Sequence, residues 1–191
     1  MMVRIFLYII IGLFIISGCE KEPAIIYGKN HVFSVKAPDG WVYDSDTAKK
    51  FGLVHLIYPK SEPKPIRTYM YAYGWAPNSE PFILSEFINK DIETYRKRYG
   101  DKVKFEIRDV SLPADSEFLT GKIKQVDFTN IPDEFGKYSE RVIFIEARNS
   151  IVLLVFSFRS KEEESKYAND YMYIVKSFDF LGEDSSDFVN N

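Results

Sequence analysis

Cys19 is the only cysteine in the chain, and it follows a segment that already has a purpose. Arg4 is followed by an almost unbroken apolar run from Ile5 to Ile16, then by the small residues Ser17 and Gly18, and then by the thiol. A positive start, roughly 7–15 apolar residues and a small-residue cleavage site make up an export signal. A spanning helix needs about 20 apolar residues, and Glu20-Lys21-Glu22-Pro23 stops this run short of that. Five other groups of residues have side chains able to do chemistry. His31 and His55 are the two imidazoles, and neither has a second His or Cys at ligand spacing. Asp44 with Asp46, and Asp127 with Asp133 and Glu134, carry the oxygens a hard cation takes, without a complete loop signature. Glu162-Glu163-Glu164 reads as the acidic first turn of a helix rather than as a ligand set. Tyr69, Tyr71, Tyr73 and Trp75 recur at every second position, so they share one face of a strand. That row is either the floor beneath a helix or a recognition surface, since Tyr and Trp are enriched at interfaces.

Ile16-Ser17-Gly18-Cys19 resembles the lipobox of bacterial lipoproteins: an aliphatic residue, two small ones, then cysteine. The resemblance implies cleavage between Gly18 and Cys19 and acylation of Cys19. The small residues admit a peptidase, and the thiol carries a thioether-linked lipid. Each buried CH₂ contributes about 0.8 kcal/mol, so one chain anchors marginally and two or three hold firmly. Glu20 is not the Asp that lipoproteins use for inner-membrane retention, which favours an outer membrane where the host has one. The expected divisions are a signal peptide at 1–18, a lipidated tether at 19–30 reaching no more than about 35–40 Å, a domain at 31–182 and a polar tail at 183–191.

The chain has 191 residues and a formal net charge of −3; removing residues 1–18 removes only Arg4, leaving 24 basic against 28 acidic residues, or −4. That length suits one domain. An acidic balance argues against nucleic acid as a partner. With no cysteine after Cys19, no disulfide framework is available, and stability must come from packing, for which 13 Tyr and 16 Phe provide the bulk.

The elements that must position these groups follow from period and punctuation. His31 to Ala37 alternates as a strand and ends at Pro38-Asp39-Gly40. Phe51 to Tyr58 reads as a central strand, Ile66 to Trp75 as a third, and the proline-rich stretch between them as a loop. Leu84, Phe87, Ile88, Ile92 and Tyr95 fall at helical spacing, with Ser85 as the expected N-cap, Arg96-Lys97-Arg98 in the last turn and Gly100 as the stop. Val103 to Arg108 is a strand with one buried face, and Phe118 to Thr129 is a strand whose broken parity predicts a bulge. Asn130 to Gly136 reads as a loop. Arg141 to Ala147 and Ile151 to Arg159 form a hairpin that is apolar on both faces, and so lies mid-sheet. A second amphipathic helix starts at Lys161, with Tyr167, Tyr171, Ile174, Val175 and Phe178 as its inner stripe.

The opening Phe33-Ser34-Val35-Lys36-Ala37-Pro38-Asp39-Gly40-Trp41, the hairpin Val142 to Phe158 before an acidic helix start, and the closing Tyr173-Ile174-Val175-Lys176-Ser177-Phe178-Asp179-Phe180 together resemble PsbP-like and DcrB-like domains. The resemblance implies an α+β fold, a central antiparallel sheet flanked by helices on both faces. It also implies a mostly non-catalytic role: such domains include extrinsic photosystem subunits, a Ran-binding nuclear factor and bacterial lipoproteins. No metal-protease, phosphate-loop, dinucleotide or nucleophile-elbow motif is present. The expectation is therefore a lipid-anchored envelope protein with no catalytic residues, no cofactor and no metal. It would be held to the membrane by acylated Cys19, with an envelope protein as partner and Tyr69, Tyr71, Tyr73 and Trp75 as the candidate surface. The alternative is an envelope-side small-ligand binder or enzyme whose site is built from dispersed residues.

Overall fold

The hairpin at the middle of the sequence is also the middle of the molecule. In the computed structural model, which describes residues 22–76, 83–111 and 119–183, strands β8 (Gly136–Ala147) and β9 (Ile151–Phe158) pair antiparallel along most of their length. Period-2 alternation sends their side chains to two separate cores. Ile143, Ile145, Val152, Leu154 and Phe156 face one; Val142, Phe144, Leu153 and Val155 face the other. Apolar side chains on both faces are what a central strand covered on both sides requires.

Around this pair lies a seven-stranded antiparallel sheet. Its remaining strands are β3 (Trp41–Asp44), β4 (Leu56–Pro59), β5 (Tyr69–Trp75), β6 (Lys104–Asp109) and β7 (Leu119–Asp133), in the order β3-β4-β5-β9-β8-β7-β6. Helix α1 (Ser45–Lys49) links β3 to β4. Helix α2 (Leu84–Tyr99) packs Leu84, Ile88 and Ile92 on one face, and α3 (Lys161–Lys176) packs Tyr167, Tyr171, Ile174 and Val175 on the other. The α+β architecture with helices on both faces is the one expected.

A second sheet was not expected. Strands β1 (Ala24–Gly28), β2 (His31–Val35) and β10 (Asp179–Gly182) form a three-stranded antiparallel sheet in the order β1-β2-β10. It closes the core on the α3 side with Ala24, Ile26, Phe33, Val35 and Phe180. The stretch 24–30 is therefore not tether. Ala24 and Ile26 alternate inward, and the two-residue turn Lys29-Asn30, with Asn30 at φ 61°, folds β1 back onto β2 in register Gly28↔His31. Asn is among the few residues that adopt this left-handed conformation readily.

Four further boundaries differ from the sequence reading. β4 is four residues long rather than eight, because Phe51 to His55 turns away from the sheet, with Gly52 at φ 71° and Phe51 68% exposed. β5 starts at Tyr69 rather than Ile66. The expected loop from Asn130 to Gly136 is mostly strand: β7 runs on to Asp133, bulging between Phe128 and Ile131, and meets β8 through the two-residue turn Glu134-Phe135. Finally, α2 begins at Leu84, not after a Ser85 cap; Ile83 holds the cap position without a side-chain bond. The stop at Gly100, with φ 69°, is as expected. Among the described residues no helix is long and apolar enough to cross a membrane. Gly18, Cys19 and the tail at 184–191 lie outside the described residues.

Candidate interaction site

The aromatic row sits on β5, next to the central pair. Tyr69↔Ser157 through Trp75↔Ile151 bind β5 to β9 over its whole length. On its other side the ladder to β4 has a single pair, Ile57↔Met70. Met70 and Ala72 point into the α3-side core. Tyr71 and Tyr73 point to the α2 side, their rings stacked at 6.1 Å.

Helix α2 covers most of the row. Phe87 packs on Trp75 at 4.7 Å between ring centres. Tyr95 stacks on Phe128 at 4.3 Å and donates its hydroxyl to Glu140 Oε2 at 2.5 Å. Tyr71 bonds the same carboxylate. Glu140 is only 5% exposed, and this desolvation, reinforced by the nearby Asp91 charge, raises its pKa to about 7 against the opposing Tyr95 hydrogen bond. Desolvation lifts Asp91, on α2, to about 6. Burial likewise pushes the Tyr71, Tyr73 and Tyr95 hydroxyls up. Tyr69, Tyr71 and Tyr73 are thus partly buried scaffold; Trp75, at 37% exposure, is the member of the row that reaches solvent.

Where β4 leaves β5, a groove of about 560 Å³ opens. Trp75 and Gly74 form one wall, Leu53 and Val54 another, and the end of β1 with Tyr27 and Lys29 a third. His31 lines it, 4% exposed. Its Nδ1–H donates to the Lys29 carbonyl at 2.8 Å, which leaves Nε2 as the acceptor, and burial lowers its pKa, so the ring is neutral near pH 7. Two glycines make room for it. A Cβ at Gly28 would come within 2.2 Å of the imidazole, and one at Gly74 within 2.3 Å. Among the described residues the groove has a single charge, Lys29, between apolar and aromatic walls. Such a surface suits an apolar or aromatic segment better than a charged ligand.

The other candidate groups have structural work. Asp44 caps α1, accepting from Thr47 N at 2.7 Å, Thr47 Oγ1 at 2.7 Å and Tyr58 Oη at 2.9 Å, and these bonds hold its pKa below the ordinary carboxylate value. Asp46 is solvated beside Lys49. His55 Nδ1 meets Ser45 Oγ at 2.8 Å, and its ring stands edge-on to Tyr43. Asp127 receives Arg141 Nε at 2.9 Å and Arg108 at 3.0 Å, while Asp133 pairs with Arg159, so the two do not share a site. Glu164 binds Arg141 at 2.6 Å and Glu163 accepts from the backbone of Arg159 at 2.7 Å. Among the described residues no three His, Cys, Asp or Glu converge as a metal would need.

Sequence reasoning did not single out Glu140, Asp91, Tyr27 or the glycine pair. Parity could have found Glu140: it stands two and four residues before Val142 and Phe144, on the face that becomes core. The glycine pair has no such signal, because its meaning depends on two distant strands meeting at His31.

No protein-family model matches the sequence, and no curated protein matches it. Solved structures do. The solution structure of cyanobacterial PsbP (CyanoP) from Synechocystis sp. PCC 6803 superposes with a TM-score of 0.52 at 8% identity, covering 78% of this chain and 86% of that one. LpqN of Mycobacterium tuberculosis, described as involved in cell envelope biogenesis, gives a TM-score of 0.46 at 10% identity over 84% of this chain and 91% of its own. The CyanoP match, at this identity, establishes a PsbP-like fold.

Proposed function

We propose that this protein is a membrane-anchored envelope lipoprotein acting as a non-catalytic interaction or assembly module. Acylated Cys19 holds it at the bilayer, and the groove beside Trp75 receives a segment of an envelope partner. The observation that carries the docking role is the half-exposed Trp75 at the mouth of a groove with aromatic and apolar walls and, among the described residues, one charge. Trp anchors set in such pockets contribute disproportionately to binding. The anchor rests on Ile16-Ser17-Gly18-Cys19 alone. The second reading, a small-ligand binder, is favoured by the neutral His31 imidazole lining the same groove.

Crosslinking of the membrane-bound protein followed by mass spectrometry tests the docking role. An adduct from an envelope protein is expected at groove residues such as Tyr27 and Lys29, and it should disappear in a folded Trp75→Ala variant. Adducts scattered over the surface and indifferent to that substitution would refute it. In the same cells Cys19→Ala should abolish palmitate labelling; undiminished labelling would end the anchor reading.

A further inference from the structure

Because β1 begins at Ala24, the stretch that can serve as a tether is far shorter than 19–30. Four Cα steps separate Cys19 from Pro23, which at full extension reach only about 14 Å. Pro23 lines a second groove of about 560 Å³ together with Ile25, Lys36, Tyr173, Lys176 and Leu181. We infer that this end of the domain is a membrane-contacting surface: Met172, Tyr173 and Lys176 of α3, with Lys36, rest in the headgroup region of the bilayer that holds Cys19. This rests on the lipid anchor proposed above.

The residue types fit a lipid surface. Asn169, Met172, Tyr173 and Lys176 fall at i, i+3, i+4 and i+7, so they form one stripe on the outer side of α3. Met172 is 40% and Tyr173 46% exposed, and Tyr173 lines the groove with Pro23, next to the point where the chain leaves for the membrane. Tyr rings sit at headgroup level in bilayers, and Lys lets its aliphatic stem lie on apolar surface while the ammonium stays wet. Three of the four acids of α3, Glu162, Glu163 and Glu164, lie in its first turn, at the opposite end of the helix; the fourth, Asp170, stands one turn before Tyr173. Asp179 also lines the groove and Glu22 precedes it, so Lys36 and Lys176 do not leave a strong net positive field. The contact is thus mainly interfacial insertion of Tyr173 and Met172, and it should depend only weakly on salt.

The geometry also orients the other groove. Gly28 and Lys29 stand at the far end of β1 from Pro23, about 17 Å or more further along the strand. With the Pro23 end on the bilayer, Trp75 and Tyr27 are presented away from it.

The experiment uses the full lipidated protein in vesicles of phosphatidylethanolamine and phosphatidylglycerol. Acylation occupies the thiol of Cys19, so Tyr173→Cys and Phe135→Cys each offer one site for a nitroxide label. Phe135 is 44% exposed and packs beside Arg159, next to the start of α3. The expected result is a label at 173 that collides several-fold more with oxygen, relative to a water-soluble nickel chelate, than a label at 135. Equal, water-like accessibility at both, with acyl chains on Cys19 confirmed by mass spectrometry, overturns the contact surface and leaves the anchor standing. A label at 173 shielded from both reagents means a protein covers it, and also overturns the inference. Absence of acyl chains on Cys19 removes the anchor and this inference with it.

Discussion

Glu140 shares the α2-facing side of β8 with Val142 and Phe144, and its carboxyl receives the hydroxyls of Tyr95 and Tyr71. Its folded pKa of about 7 is above the ordinary 4.5, so the folded state holds the proton more tightly than the unfolded chain. The stability this contributes is complete below the unfolded value and is lost as pH rises through about 7. Asp91, raised to about 6, acts in the same direction. Glu140→Gln keeps an acceptor for the tyrosines and removes the titration. Urea unfolding of parent and variant at about pH 5 and about pH 8 should show the parent losing on the order of 3 kcal/mol relative to the variant across that span. A difference that stays constant with pH would refute the assignment. Little in the sequence warns of this group. A glutamate in an alternating strand reads as solvent-facing until its parity is counted against the apolar residues that follow.

At the scale of the element, α2 shows how a helix can take its cap from elsewhere. Ile83 has no side-chain oxygen to offer, and the Leu84 N–H instead donates to Glu146 Oε2 at 3.3 Å. The same carboxylate accepts from Thr120 at 2.8 Å and Lys122 at 3.1 Å, and is 5% exposed as a residue. A negative group at a helix start is favourable both as an acceptor and against the macrodipole. Glu146→Ala should cost about 1–2 kcal/mol, within the range for a lost cap, and should speed amide exchange at Leu84, Ser85 and Glu86 while leaving β9 protected. Unchanged exchange in that first turn would show that the bond does not hold the helix. Helix periods, strand parity and the breaks at Pro38, Gly40 and Gly100 were legible because they are local. The N-terminus of α2 was not, since its acceptor is 62 residues away. Nor was the end of β4: Leu53 to Tyr58 has strand-like residues, and only the left-handed Gly52 beside it turns the chain out.

In the whole molecule the α3-side core joins the two sheets. Phe33 and Phe180 of the small sheet pack with Ile143, Leu154 and Phe156 of the large one, with Phe178 and α3 between. Burial this continuous predicts a single cooperative unit. Unfolding followed by Trp fluorescence and by far-ultraviolet dichroism should give one midpoint, and Phe33→Ala should lower both signals together by about 3–5 kcal/mol. Separate midpoints would show that the small sheet is an accessory. The class and order of elements could be read in advance, because both main helices and the central hairpin declare themselves by pattern. The division into two sheets could not. β1 is five residues long, follows a proline, and acquires its meaning only when Ala24 and Ile26 meet α3-side neighbours from the far end of the chain.

Strand β9 has a further consequence for the life of the chain before it folds. All eight residues of Ile151-Val152-Leu153-Leu154-Val155-Phe156-Ser157-Phe158 are buried, with no charge and no proline among them. In the native sheet both of its edges are taken, by β5 and by β8. Unfolded, the same eight residues have the composition of a steric-zipper segment: high β-propensity, no net charge and no interruption. Arg148 and Arg159-Lys161 flank it as charged gatekeepers. A chain exported unfolded would carry this segment bare across a membrane, so its solubility in transit depends on those flanking charges, or on a chaperone, until β5 and β8 close over it.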